Sequence, residues 1–235
     1  MQTERLIQGA RKFGLDLTDQ QVQQFTRYYE LLVEWNEKIN LTAITAEEEV
    51  IDKHFLDSLS GAQVFSVTEG MKILDVGTGG GFPGMALAIA FPEAQVCLMD
   101  ATGKKVRFLE MTASELGLKN VTAVQGRAEE MAHDPAYREQ FDLVTSRAVA
   151  ALPVLLEYMA GFVKPQGQIA AYKGPSLEEE MQAAAGAIKT LGLTPENKQV
   201  FQIADQQHTV AVFIKKKALA DRYPRPQAQI RKKAL

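Results

Sequence analysis

The chain has 235 residues, 46% of them hydrophobic and 23% charged, a balance that excludes disordered, collagen-like and low-complexity classes. The single cysteine, Cys97, excludes an internal disulfide framework and a cysteine-based zinc site, and no metal is expected. The net charge is −3, but residues 215–235 hold eight bases against the lone acid Asp221, leaving an acidic body with a basic tail. That asymmetry fits one face for a polyanion or a solvated terminus.

Residues 1–60 read as helices. Thr18-Asp-Gln-Gln21 has the form of a capping box, in which the hydroxyl and the Gln21 side chain satisfy orphan amides. Val22, Phe25, Tyr29, Leu32 and Ile39 follow at helical spacing, widened by Leu31 and Trp35, and this helix is expected to end near Asn40. A second amphipathic stretch carries Val50, Ile51, His54, Phe55 and Leu59. Met1–Gly14 is interrupted by Glu4, Arg5, Arg11 and Lys12, so it is not a signal peptide, and no apolar run reaches the roughly 18 residues of a membrane span. A reduced, cytoplasmic compartment and a monomer are expected.

From residue 71 strand-like runs alternate with helical patterns. The strands are expected at 72–76, 95–99, 121–124, 141–144 and 168–172, with helices at 84–91, 104–116, 128–133, 152–163 and 177–191. Such alternation predicts an α/β fold, a doubly wound, mostly parallel sheet. Two final runs, 198–204 and 209–215, are joined only by Asp205–His208, too short for a crossover helix, so a terminal antiparallel hairpin closes the sheet. The predicted organisation is an N-terminal helical extension over 1–64, the α/β domain over 65–217 and a basic tail over 218–235.

The strongest local signal is Asp75-Val-Gly77-Thr-Gly79-Gly80-Gly81-Phe82-Pro83-Gly84, between the first strand and first helix of the α/β part. Glycines there let a ligand approach the backbone, and Pro83 suits a first helical turn. Gly79–Gly84 is a literal G-x-G-x-x-G, so a dinucleotide has to be weighed. That register starts too far beyond the strand, however, and in the earlier register Phe82 replaces the glycine that close helix–strand packing needs. Asp75 would repel a pyrophosphate but suit an ammonium. The acidic-x-Gly-x-Gly-x-Gly pattern resembles the S-adenosylmethionine (SAM) loop of class I methyltransferases. Asp100, 23 residues beyond Gly77, suits ribose hydroxyls in either cofactor. Gly126-Arg127-Ala128-Glu129 falls where this fold places adenine contacts, and Thr145-Ser146-Arg147-Ala148 at the rim where substrate meets the methyl group.

Taken together, Asn40-Leu-Thr-Ala-Ile44, His54-Phe-Leu-Asp-Ser-Leu59, the glycine loop, Arg127-Ala-Glu129, Ser146-Arg-Ala-Val149 and Arg222-Tyr-Pro-Arg225 resemble the bacterial small-subunit rRNA methyltransferase G family, also called glucose-inhibited division protein B. The resemblance implies a class I methyltransferase fold and SAM-dependent methylation of N7 of one guanine in the decoding-region loop of 16S rRNA. It implies Gly77, Phe82, Ala128, Glu129 and Arg147 as cofactor-pocket residues, to which the loop reading adds Asp75, Gly79 and Asp100. Its expected partner is 16S rRNA or the small ribosomal subunit. The tail departs from the family's ending: Pro226-Gln-Ala-Gln-Ile stands where a Gly-Thr-Pro turn is common.

The chemistry is consistent with what is absent. No Asn/Asp-Pro-Pro-aromatic segment follows the fourth strand, as exocyclic-amine methylation would want, and Cys97, mid-strand, is a poor thiolate nucleophile. Guanine N7 carries no proton, so alignment suffices without a general base. Arg147 and Lys173 are expected to orient the guanine or its phosphate; a lysine-assisted ribose target stays open. Arg222, Tyr223, Arg225, Lys232 and Lys233 are expected to contact RNA. A dinucleotide-dependent oxidoreductase, a non-catalytic ribosome-assembly protein and a methyltransferase for protein or small molecules remain the competing readings.

Overall fold

In the computed structural model, which describes residues 1–204 and 206–235, seven strands form one sheet in the order β3-β2-β1-β4-β5-β7-β6. They are β1 Lys72–Val76, β2 Gln95–Asp100, β3 Val121–Gln125, β4 Phe141–Arg147, β5 Val163–Lys173, β6 Leu193–Ile203 and β7 Gln206–Lys215. The first five are parallel and β7 runs antiparallel to both β5 and β6. The expected parallel sheet and terminal hairpin are therefore present, with longer hairpin arms than the apolar alternation indicates. β6 is an edge strand, irregular between Pro195 and Asn197 and exposed from Thr194 to Lys198; an edge tolerates proline and shows little apolar alternation. Asp205 lies outside the described residues.

The helices are α1 Thr3–Lys12, α2 Asp19–Ile39, α3 Glu47–Val50, α4 Asp57–Ser60, α5 Gly84–Ala90, α6 Gly103–Glu115, α7 Ala128–Met131, α8 Leu152–Ala160, α9 Leu177–Ala183, α10 Ala185–Thr190 and α11 Gln227–Lys232. The capping box at Thr18 forms in both directions, and α2 ends at Asn40 in a left-handed conformation. The second amphipathic stretch is not one α-helix: a π-helical turn, Ile51–Leu56, joins α3 to α4. Such turns recur at functional sites. No helix among the described residues is long and apolar enough to cross a membrane.

Two cores flank the sheet. On one face, Phe25, Tyr28, Leu32 and Phe55 from the N-terminal helices pack in the same cluster as Ile73, Met85, Leu98 and Phe108. The other face collects α8, α10 and the tail, through Leu155, Met159, Ala187 and Tyr223. At the carboxyl end of the sheet the strand order reverses between β1 and β4, the place where open α/β sheets bind ligands.

Candidate functional site

The loop after β1 is built by its glycines. The amides of Gly77 and Thr78 donate to Met99 O at 2.8 and 3.0 Å, tying the loop to the end of β2. Gly77 and Gly79 have φ of +69° and +61°, strained for L side chains. A Cβ at Gly79 would meet nothing within 4 Å, so the backbone there faces open space, whereas one at Gly77 would collide with Val149. Asp100 clamps the far side, accepting from Gly79 N at 3.1 Å and Thr102 N at 2.8 Å.

Asp75 has a different place from the one its charge suggests. It is fully buried, accepts from Gly84 N at 2.8 Å and from Thr145 Oγ1 at 3.2 Å, and so fastens the loop from beneath instead of presenting an oxygen to a ligand's ammonium. Burial pushes its carboxyl up to about 6, against the help of these hydrogen bonds. Because the folded value lies above the unfolded one, the wild type loses stability as pH rises from about 4 through about 6. Asn at 75 keeps both contacts, its carbonyl accepting and its amide donating. Asp75→Asn should therefore be more stable above pH 6, by up to about 3 kcal/mol, with the gain vanishing in acid. Chemical denaturation across that range checks this, and a gain independent of pH would show that the buried charge carries no penalty.

At the end of β3, Gly126 N donates to Asp100 O at 3.1 Å, drawing the second and third strand ends together. Ala128 then opens α7, and Glu129 is mostly buried. Arg127, Glu129 and His133 share a cavity of about 320 Å³ with Pro226 and Gln227 of the tail.

Arg147, closing β4, is the centre of the site. Its Nη1 donates to Asp57 Oδ2 at 2.6 Å and to Lys53 O at 2.8 Å, and its Nη2 lies 3.1 Å from His54 Nδ1. The guanidinium sits 5.2 Å from the centre of the Phe82 ring, which in turn stacks on His54 at 4.6 Å and Tyr28 at 5.3 Å. Phe82 is only 5% exposed. It fits beside the glycine loop because its ring enters this aromatic stack, leaving the loop backbone, not the ring, for a ligand. The other oxygen of Asp57 lies 2.9 Å from His208 Nδ1. Burial opposes the Asp57 charge, but hydrogen bonds and charge from His208 and Arg147 hold its carboxyl below the usual range. Burial and the Arg147 charge drive His54 down to about 4, so it is neutral at pH 7.

His54, Asp57 and His208 are site residues that sequence reasoning misses. For the first two, the usable signal is a polar pair three residues apart on an otherwise apolar stripe, one helix face. Lys173 is brought near but committed elsewhere: its Nζ pairs with Glu180 at 2.6 Å and donates to Ala150 O at 2.9 Å. Glu180 also accepts from Leu152 N at 2.7 Å. Instead of offering a free cation to a guanine or phosphate, Lys173 braces the segment between β4 and α8. Cys97 is half-buried in β2, and burial pushes its thiol up.

The tail separates into two kinds of base. Arg225 makes a fork to Glu157, at 2.8 and 2.7 Å, and Glu157 is fully buried. Tyr223 is buried, and Arg138 donates to the carbonyls of Leu219 and Tyr223 at 3.0 and 2.9 Å. Lys215 is wholly buried against Glu139, Ala160 O and Val163 O. Of the five residues expected to meet RNA, Tyr223 and Arg225 are used to fasten the tail, whereas Arg222, Lys232 and Lys233 are exposed.

The donor set fits an adenosyl ligand: an open glycine backbone at Gly79, an Asp100 carboxylate with lone pairs remaining, and the Ala128–Glu129 turn stand in sequence along the strand ends. Among the described residues no group of three or more His, Cys, Asp or Glu is placed to hold a metal ion.

A family described as rRNA small subunit methyltransferase G matches residues 21–210. The ribosomal RNA small subunit methyltransferase G of Alkaliphilus metalliredigens is 45% identical over 232 residues, covering 98% of this chain and 97% of its own. The protein of that name from Thermoanaerobacter sp. is 44% identical over 234 residues, covering 99% and 98%. Among solved structures, a SAM-dependent methyltransferase from Aquifex aeolicus shares the fold with a TM-score of 0.53 at 21% identity, over 71% of this chain and 93% of that one. The sheet, with its β5-β7-β6 edge, is that of the class I SAM-dependent methyltransferases. With relatives above 40% identity aligned almost end to end, the chain belongs to the rRNA small subunit methyltransferase G family.

Proposed function

We propose that this enzyme methylates N7 of one guanine in the decoding-region loop of 16S rRNA. S-adenosylmethionine is the methyl donor and, when bound, supplies an electrophilic methyl group. Gly77 and Gly79 give it backbone, Asp100 a carboxylate for its ribose, and Ala128 with Glu129 the edge for its adenine. Near-complete coverage by relatives named for rRNA methylation supports the substrate class.

The observation that carries the choice of N7 is the segment Thr145–Ala148 at the end of β4. It supplies a fixed guanidinium, while its Thr145 and Ser146 hydroxyls are buried and spent on Asp75 and Val76 O, so the segment itself offers neither a base nor a nucleophile. An N7 lone pair needs neither. Alignment at near-attack distance is worth about 7–11 kcal/mol in favourable systems, and Arg147, held by Asp57, Lys53 O and the Phe82 ring, is a rigid wall against which to align it. His54, neutral at pH 7, braces that wall without adding charge.

The test is incubation with SAM and small subunits from cells lacking the modification, followed by borohydride–aniline scission, which cleaves at N7-methylguanosine. A single cut in the decoding-region loop is the expected result. Methyl incorporation without scission would place the methyl on another atom and overturn the N7 assignment.

A further inference from the structure

The Thr42 hydroxyl lies 2.7 Å from His54 Nε2. It stands at the opposite end of the imidazole from Arg147, whose Nη2 is 3.1 Å from Nδ1. Resting on the proposed role of Arg147 as the wall that aligns the guanine, we infer that Thr42 is a positioning residue. Its oxygen takes the Nε2 proton of His54 and so leaves the Nδ1 lone pair for Arg147.

The neutral ring has one proton to place, since His54 is driven down to about 4 and is uncharged at pH 7. Nδ1 faces two groups of opposite demand. Arg147 Nη2 can only donate, whereas Lys53 O, 3.0 Å away, can only accept. A proton on Nδ1 would serve Lys53 O but set two N–H groups against each other across the 3.1 Å to Arg147. Lys53 O has a donor without the ring, because Arg147 Nη1 reaches it at 2.8 Å. A proton on Nε2 removes the conflict: Nδ1 accepts from Nη2, and Nε2–H needs an acceptor, which Thr42 Oγ1 supplies. The partner of one ring nitrogen thus sets the state of the other.

Both groups are held for this contact. Thr42 N donates to Asn36 Oδ1 in the last turn of α2 at 2.8 Å, and Thr42 Oγ1 accepts from Ile44 N at 3.0 Å. On the π-helical turn, the His54 carbonyl accepts from Ser58 Oγ at 2.6 Å. The ring lies on Phe82 with the two planes 25° apart; turned over, it would present carbon to both Thr42 and Arg147. A line of contacts runs from α2 through Thr42 and His54 to the end of β4, and it gives the N-terminal extension a part in holding Arg147.

Nitrogen NMR on protein labelled only in histidine tests this, since the chain has three histidines. His54→Phe assigns the His54 signals while keeping an aromatic ring beside Phe82. In the wild type Nδ1 should give the signal of an unprotonated ring nitrogen and Nε2 that of a protonated one. Thr42→Ser keeps the hydroxyl and should keep this pattern, with turnover within about twofold of wild type. Thr42→Val keeps the shape but offers no acceptor. The other acceptor beside the ring, among the described residues, is Lys53 O, so the proton should move to Nδ1, against Arg147. Its kcat on undermodified small subunits should fall about tenfold, the effect of one hydrogen bond, with KM near wild type. Valine also frees Ile44 N, and the His54→Phe background separates that loss: there Thr42→Val should cost no further turnover. A wild-type proton on Nδ1, an unchanged pattern in Thr42→Val, or the same fractional loss in both backgrounds would overturn the role of Thr42. If valine lowers the melting temperature, the wild-type spectrum decides alone. The spectra require no methyl transfer, so absence of N7 scission by the wild type would defeat the proposed function and leave this contact standing.

Discussion

Arg147→Ala should abolish measurable methyl transfer and lower stability by about 3–5 kcal/mol, the scale of breaking a buried pair from one side. The stability loss comes from the partner left behind. The Asp57 side chain is 5% exposed, and without the guanidinium only His208, among the described residues, is paired with it. The Phe82 ring also loses its cation, worth about 0.5–2 kcal/mol. Since activity and stability fall together, a second substitution is needed to separate them. Asp57→Asn in the Arg147→Ala background removes the stranded charge and should recover most of the stability while restoring none of the turnover. Recovery of both would reduce Arg147 to a structural post. The pH dependence has a definite sign. Asp57 is held below its ordinary value in the folded chain, so its contribution is present above about pH 4 and is lost in acid as it protonates. The deficit of Arg147→Ala should accordingly be largest near neutrality and shrink as the pH falls below the carboxylate range. Arg147→Lys keeps the charge but not the planar fork, and should lie between the two in stability while remaining far below wild type in kcat.

What is legible in the sequence is what depends on neighbours along the chain. Thr18 and Gln21 cap a helix three residues apart, the glycine loop follows its strand directly, and each of the first three strands begins where its apolar run begins. The illegible part is long-range pairing. Arg147 meets Asp57 across 90 residues and His54 across 93, and nothing in either local pattern distinguishes a polar residue that turns inward from one that is solvated. Asp57 sits between Leu56 and Ser58 as an ordinary break in a stripe would. Lys173 ends its strand as expected, yet Glu180 arrives from the next helix to neutralise it. Charge alone points Asp75 at a ligand, and its burial follows only once α5 packs over β1 and Gly84 closes on it. The tail misleads for a related reason: a run of bases looks uniform in sequence, whereas the fold divides it.

That division makes the second large effect. Arg225→Ala should cost about 3–5 kcal/mol, because Glu157 is fully buried and its carboxylate would keep the backbone N–H of residue 225 at 2.9 Å but no cationic partner among the described residues. At about 2–4 °C per kcal/mol for a chain of this size, the melting temperature should fall by roughly 6–20 °C, and Glu157→Gln in the same chain should recover much of it. Neutralising Arg231, Lys232 and Lys233 together should do the opposite. All three are exposed, so stability should change by no more than about 0.5 kcal/mol per site. Affinity for the small-subunit RNA should drop, and its dependence on salt should flatten by about 0.7 in log–log slope for each single-strand phosphate no longer neutralised. Cutting the tail after Ala220 would merge these two effects and is the poorer experiment, since it strands Glu157 and removes Tyr223 and Ile230 from the core along with the exposed charges. Filter binding over a salt series, with melting curves on the same preparations, reads both quantities. If the Arg225 variant stays stable and loses the salt slope while the triple variant binds normally, then Arg225 is the phosphate-binding residue and the exposed cluster is solvated surface.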